Sequence, residues 1–195
     1  MSRPARFSRG DLIASAVVLA AVDGPGAVTM QGVAAAMGAP SGSVYHRFSG
    51  RPELLAEVWV AAVDRFQQDL WSVAEPCHDA GAIAACTVRW AREHRDLACI
   101  LSLYRAEAFL GDDAPPLLRR RVQAQRTELA ARIATLARRF VGSASPEAIE
   151  RTTFALATVP LAALREPLGS GKPISERLET LVHDAAGALL KRREP

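Results

Sequence analysis

Apolar positions recur at helical spacing through most of the chain. No stretch sustains the apolar/polar alternation, rich in β-branched side chains, that marks a strand. The pattern predicts an all-α protein of about nine helices, with breaks where Gly, Pro, Ser and Asp cluster. Ser8 and Asp11 stand at capping-box spacing, with Asp in place of Glu. They open a first helix that stops near Asp23-Gly24-Pro25-Gly26. Thr29 caps a short second helix, which Gly38 closes by turning left-handed. Ala39-Pro40-Ser41 opens a third helix, and Ser49 to Glu53 opens a fourth with Pro52 near its first position. Further helices are expected at about 52–74, 79–94, 96–110, 115–141, 146–166 and 175–192, with starts marked by Pro115, by Ser145-Pro146 and by Ser175. There is no internal repeat.

Within Thr29 to Phe48, Val33, Ala34 and Met37 share one face of a helix, and Val44 and Phe48 share a face of the next. Both faces can pack on the Leu12, Ala16 and Leu19 stripe of the first helix. The result is a three-helix unit containing a helix-turn-helix, whose second helix points its N-terminal residues outward toward a groove. Its exposed positions are Ser41, Gly42, Ser43, His46 and Arg47. Small residues at that end let a backbone approach closely, and free N–H groups attract phosphate.

Charge sharpens this picture. Residues 1–51 carry five arginines (Arg3, Arg6, Arg9, Arg47, Arg51) against two acids, a net of +3, whereas residues 52–195 carry 19 basic and 19 acidic residues. A basic, anion-facing module over residues 1–51 therefore precedes a neutral body over 52–195 with another task. Arg3, Arg6 and Arg9 read as a basic tail. Tyr45, Arg47 and Arg51 offer a hydroxyl and two guanidiniums at a spacing that clamps a phosphate backbone.

The run from Thr29 to Phe48, with its Thr cap, Val33-Ala34, turn Gly38 and Gly42-x-Val44-Tyr45-x-x-Phe48, is followed by Gly50-Arg51-x-Glu53-Leu54-Leu55. It resembles the DNA-binding signature of TetR-family transcriptional regulators over about residues 8–55. The resemblance implies that Gln31, Ser41, Gly42, Ser43 and His46 contact base edges of double-stranded DNA. It assigns Thr29, Tyr45, Arg47 and Arg51 to phosphates. Pro40 stands where many relatives have a capping Ser, and Arg47 where His is frequent. The resemblance further implies a DNA-binding domain over 1–51 and an effector-binding and dimerisation domain over 52–195, in a cytoplasmic homodimeric repressor that binds a palindromic operator and is released by a small-molecule effector. Two reading modules about 34–36 Å apart would serve two half-sites. The alternative is an all-α ligand- or partner-binding protein with a vestigial helix-turn-helix.

In the neutral body, Phe154, Ala157, Leu161 and Leu164 line one helix face, and Leu178, Leu181, Val182, Ala185 and Leu189 another. These are the candidate dimer interface, or else they complete the monomer's own core. Candidate effector-pocket residues are Trp71, Cys86, Trp90, His94, Leu103, Tyr104 and Phe109, with Trp59 beside them, although aromatic and apolar residues with a few polar tips serve a core equally well. Arg119-Arg120-Arg121 and Arg126 form a charge run of the kind usually found on a solvated helix face.

Other classes fit poorly. Cys77, Cys86 and Cys99 are odd in number and lack a C-x-x-C pair, which argues for reduced thiols rather than disulfides or zinc. The apolar stretch Leu12 to Val22 is 11 residues long, short of the roughly 20 that cross a bilayer. It imitates a signal peptide behind its arginines, yet Asp11 and the missing cleavage pattern count against that reading. His94-Arg95-Asp96-Leu97 copies the start of a kinase catalytic loop, but position 101 is Leu rather than Asn and no glycine-rich phosphate loop is present. No two of the four histidines stand at i, i+4. The expectation is a non-enzyme with no cofactor, no metal and no membrane partner.

Overall fold

The computed structural model describes residues 7–191, with every side chain among them except that of Ser41. The chain forms α1 (Arg9–Asp23), α2 (Met30–Ala36), α3 (Ser41–Tyr45), α4 (Arg51–Ala74), α5 (Ala80–Glu93), α6 (Arg95–Leu103) and α7 (Pro116–Phe140). A composite helix follows, consisting of Pro146–Thr153, a π-helical turn at Phe154–Thr158 and a continuation over Val159–Gly169, together called α8. The last helix is α9 (Glu176–Leu190). Arg3 and Arg6 lie outside the described residues, as does the last residue of the helix expected to end at 192.

The local signals act where the sequence puts them. The Ser8 hydroxyl accepts the Asp11 N–H at 3.1 Å, and the Asp11 carboxylate accepts the Ser8 N–H at 2.8 Å, completing the capping box. Thr29 accepts the Gly32 N–H at 2.9 Å, and Ser145 and Ser175 cap α8 and α9 in the same manner. Gly38 has φ +59°, the left-handed geometry that lets α2 turn into α3 without a Cβ clash.

Two helices depart from expectation. The segment expected at 96–110 leaves the helix at Tyr104, whose backbone is extended, and resumes as a single 3₁₀ turn at Ala106–Ala108. That break swings Phe109 into the core, with its ring centroid 5.6 Å from Trp59 and 6.0 Å from Tyr104. The segment expected at 146–166 runs on to Gly169 and contains the π turn. Pro160 has no N–H to give the Leu156 carbonyl, and the helix widens just before it, so that the Val159 N–H reaches back five residues to Phe154.

Buried side chains gather in two main clusters. One joins α1, α2, α3 and the first half of α4 with Ile100 and Phe109. The other joins the second half of α4 with α5 through α9. Leu97 and Leu101 of α6 touch both. The first cluster runs past residue 51 through Leu54, Leu55, Val58 and Ala62, so α4 and α6 serve both halves of the molecule.

Candidate DNA-binding surface and internal cavity

The helix-turn-helix is anchored from beneath and open above. Val44 and Phe48 are buried, while Gln31, Thr29, Gly42, Tyr45 and His46 are exposed and Ser43 and Arg47 are half-exposed. Tyr45 stands out at 57% exposure, which a core aromatic would not show. Thr29 spends its lone pair on the Gly32 N–H, which leaves its O–H proton free to donate outward. The predicted base-reading and phosphate residues are thus all exposed or half-exposed, the side chain of Ser41 lying outside the description.

The arginines divide into three groups, which the charge count does not foresee. Arg9 is no tail residue. Its guanidinium lies 4.2 Å over the Phe48 ring, donates to the Arg47 carbonyl and bonds both Glu53 and Glu57 at 2.7 Å. Partial burial works to lower its pKa, and the hydrogen bonds to Glu57 and Glu53 outweigh it, leaving the net shift upward. Burial likewise works to raise Glu53, but the Ser49 N–H and the Arg9 guanidinium hold the carboxylate below its ordinary value. Arg51 is committed in part: Nε donates to the Val28 carbonyl at 2.8 Å and one terminal nitrogen to the Pro25 carbonyl at 2.9 Å, tying the start of α4 to the loop before α2. Arg47 is half-exposed, and its charge is one of the influences that lower the Asp11 pKa.

Deeper in the body, α4, α5, α6, α7 and α8 enclose a cavity of about 200 Å³. Its wall includes Trp59, Phe66 and Trp71 from α4, Leu101 from α6 and Leu156, Ala157 and Leu161 from α8, and it holds no charged residue. The π turn brings Leu156 and Ala157 to this wall. Of the seven expected pocket residues only Trp71 lines the cavity, joined by Trp59. Trp90 instead packs edge-on against Phe66 at 4.9 Å and donates to Asp69, and His94 faces an open groove beside α1. Tyr104 and Phe109 belong with the helix-turn-helix cluster, and Leu103 packs on the neighbouring one. Cys86 and Cys99 are buried free thiols, and burial pushes both pKa values up. Helical spacing shows which residues point inward but not where packed helices leave a gap.

Residues 12–58 match the family model of the bacterial regulatory proteins of the TetR family. That segment carries the TetR-family DNA-binding domain. Solved structures agree in fold. A transcriptional regulator from Rhodococcus sp. Rha1 is 24% identical with TM-score 0.68, over 92% of this chain and 94% of that one. FadR from Bacillus subtilis, solved with stearoyl-CoA, is 13% identical with TM-score 0.68, over 96% of this chain and 100% of that one. The fatty acid degradation regulator FadR from Bacillus halodurans is 17% identical with TM-score 0.65, over 92% of each chain. No curated protein sequence matches. Among the described residues, no helix of the chain is long and apolar enough to cross a membrane.

The residues expected at a dimer interface fall into three sets. Leu164 and Val182 are buried inside the chain and have no surface left to offer a partner. Phe154 and Leu181 are 49% and 55% exposed. Between these extremes, Ala157, Leu161, Leu178, Ala185 and Leu189 are half-buried, with Leu161 and Ala157 turned to the cavity and Leu178 and Leu189 packed on the core.

Proposed function

We propose that the protein binds a palindromic operator as a homodimer, represses the gene it controls and lets go when a small molecule enters the internal cavity. Trp59 and Leu101 carry the reading. Both line the cavity, and both pack against the cluster that seats the helix-turn-helix. A ligand that displaces either side chain therefore acts on the floor beneath the reading helix. A coupling of about 1–3 kcal/mol between ligand and DNA is enough to change operator occupancy substantially. The exposed Phe154 and Leu181 support α8 and α9 as the dimer face. The stearoyl-CoA held by the Bacillus subtilis FadR does not transfer, because the cavity here is small and its wall carries no charge to receive a coenzyme.

A gel shift against DNA flanking the protein's own coding region tests the reading, run at low salt where phosphate contacts are strongest. Retardation of a palindromic fragment is expected. Arg47→Ala should weaken binding to all sequences alike and reduce the salt slope by about 1, whereas His46→Ala should change base preference. Failure to shift any such fragment would remove the regulator reading, and a monomer at micromolar concentration in sedimentation would remove the dimer.

A further inference from the structure

The chemistry of the cavity wall narrows what can enter it. Of its lining, only the Gln67 amide and the indole N–H groups of Trp59 and Trp71 are polar, and none of the side chains is ionisable. The Trp71 indole N–H is buried without a hydrogen-bond partner. Among the described residues the Gln67 amide also makes no hydrogen bond. A charged guest would surrender its hydration to a wall with no counter-ion, a cost of several kcal/mol that nothing here repays.

Size sets the second limit. An apolar cavity of about 150 Å³ lined by Leu, Ile and Phe stays dry and accepts benzene. At about 200 Å³, and similarly lined, this one accommodates a ring with a short substituent and no more. We infer that the effector site takes a neutral, compact, ring-sized molecule bearing at most one hydroxyl or carbonyl group, for which the Gln67 amide and the Trp71 indole N–H are the unspent partners. This inference rests on the proposal that the cavity is the effector site. It goes further by fixing the charge, size and polarity of the guest.

Thermal melts of the DNA-free, full-length protein test it with toluene, benzyl alcohol and benzoate as probes. Toluene and benzyl alcohol should raise the Tm by several degrees in a concentration-dependent manner, since a ligand that binds only the folded state stabilises it by mass action. Benzoate, of the same size but charged at neutral pH, should not. Ala157→Leu and Val63→Phe each push a larger side chain into the space, and each should abolish the response while circular dichroism confirms a helical fold. The inference is overturned if neither neutral probe raises the Tm, if benzoate matches toluene, or if both folded filled-cavity variants respond like the parent. A gel shift with toluene then separates the two claims. Toluene binding that leaves the DNA complex intact would count against ligand-driven release while upholding the assigned class of guest.

Discussion

The apolar cluster beneath the helix-turn-helix is closed at its rim by ion pairs, whereas the cluster formed by the second half of α4 and the helices after it keeps a void at its centre. At the first, Arg9 spans Phe48, the Arg47 carbonyl, Glu53 and Glu57, fixing the end of the reading helix against α4. At the second, aromatic and aliphatic side chains face one another across open space. A reading head works in one orientation, and its surroundings spend side chains on holding it there. A sensor works by capacity, and unfilled volume is what it needs.

The contrast is open to direct attack. Phe48→Ala should give the largest effect, costing about 3–5 kcal/mol because it empties a filled site and removes the seat of Arg9. Operator binding should fall with it. Leu161→Ala, on a wall that already faces space, should cost at the low end of the roughly 2–5 kcal/mol range for such truncations. Urea unfolding of the two variants compares them, and an equal or greater cost at Leu161 would erase the distinction.

Acid should act on the filled cluster through Glu53. Its carboxylate is held below its ordinary pKa in the folded chain, so the stability it contributes is present above the unfolded value, about 4.3, and is lost as pH falls through the lower folded value. Arg9→Gln removes one cause of that depression. Unfolding on acid titration should therefore begin at a higher pH than in the parent, and an unchanged midpoint would show that the Arg9 bridge adds nothing to its surroundings.

A smaller effect is expected where α9 meets α5. His183 is hydrogen-bonded to Asp184 and Asp79, and both bonds raise its pKa above the ordinary 6.5. Its contribution is fully present below the unfolded pKa and fades as pH rises through the raised folded value. Hydrogen-exchange protection in α9, taken relative to the intrinsic amide rate at each pH, should fall slightly between neutral and mildly alkaline pH, and His183→Gln should flatten that dependence.

Much of this was legible in the sequence because the relevant signals are local. Ser8 with Asp11, Thr29, Gly38, Ser145 and Ser175 each act within four residues of where they stand, and the helix-turn-helix follows from them. The π turn at Phe154–Thr158 hides inside an unbroken apolar pattern, and Pro160 is its only advance notice. Arg9 reads as a tail because its partners Glu53 and Glu57 lie 44 and 48 residues away. The cavity is harder still to foresee: a gap among α4, α5, α6, α7 and α8 depends on how five helices fail to fill space together, so Trp71 could be named and Ala157 could not.

Gly81 has a consequence for how this protein tolerates change. A Cβ there would come within 2.7 Å of the His183 backbone carbonyl, an obstacle that no rotamer change can move aside. Even alanine, ordinarily the gentlest replacement on a helix, would have to prise α9 away from α5. In a library sampling every residue at every position, site 81 should stand out as intolerant amid permissive helical neighbours such as Ala82. The spacing of the last helix is thus written into the sequence by the lack of a single methyl group.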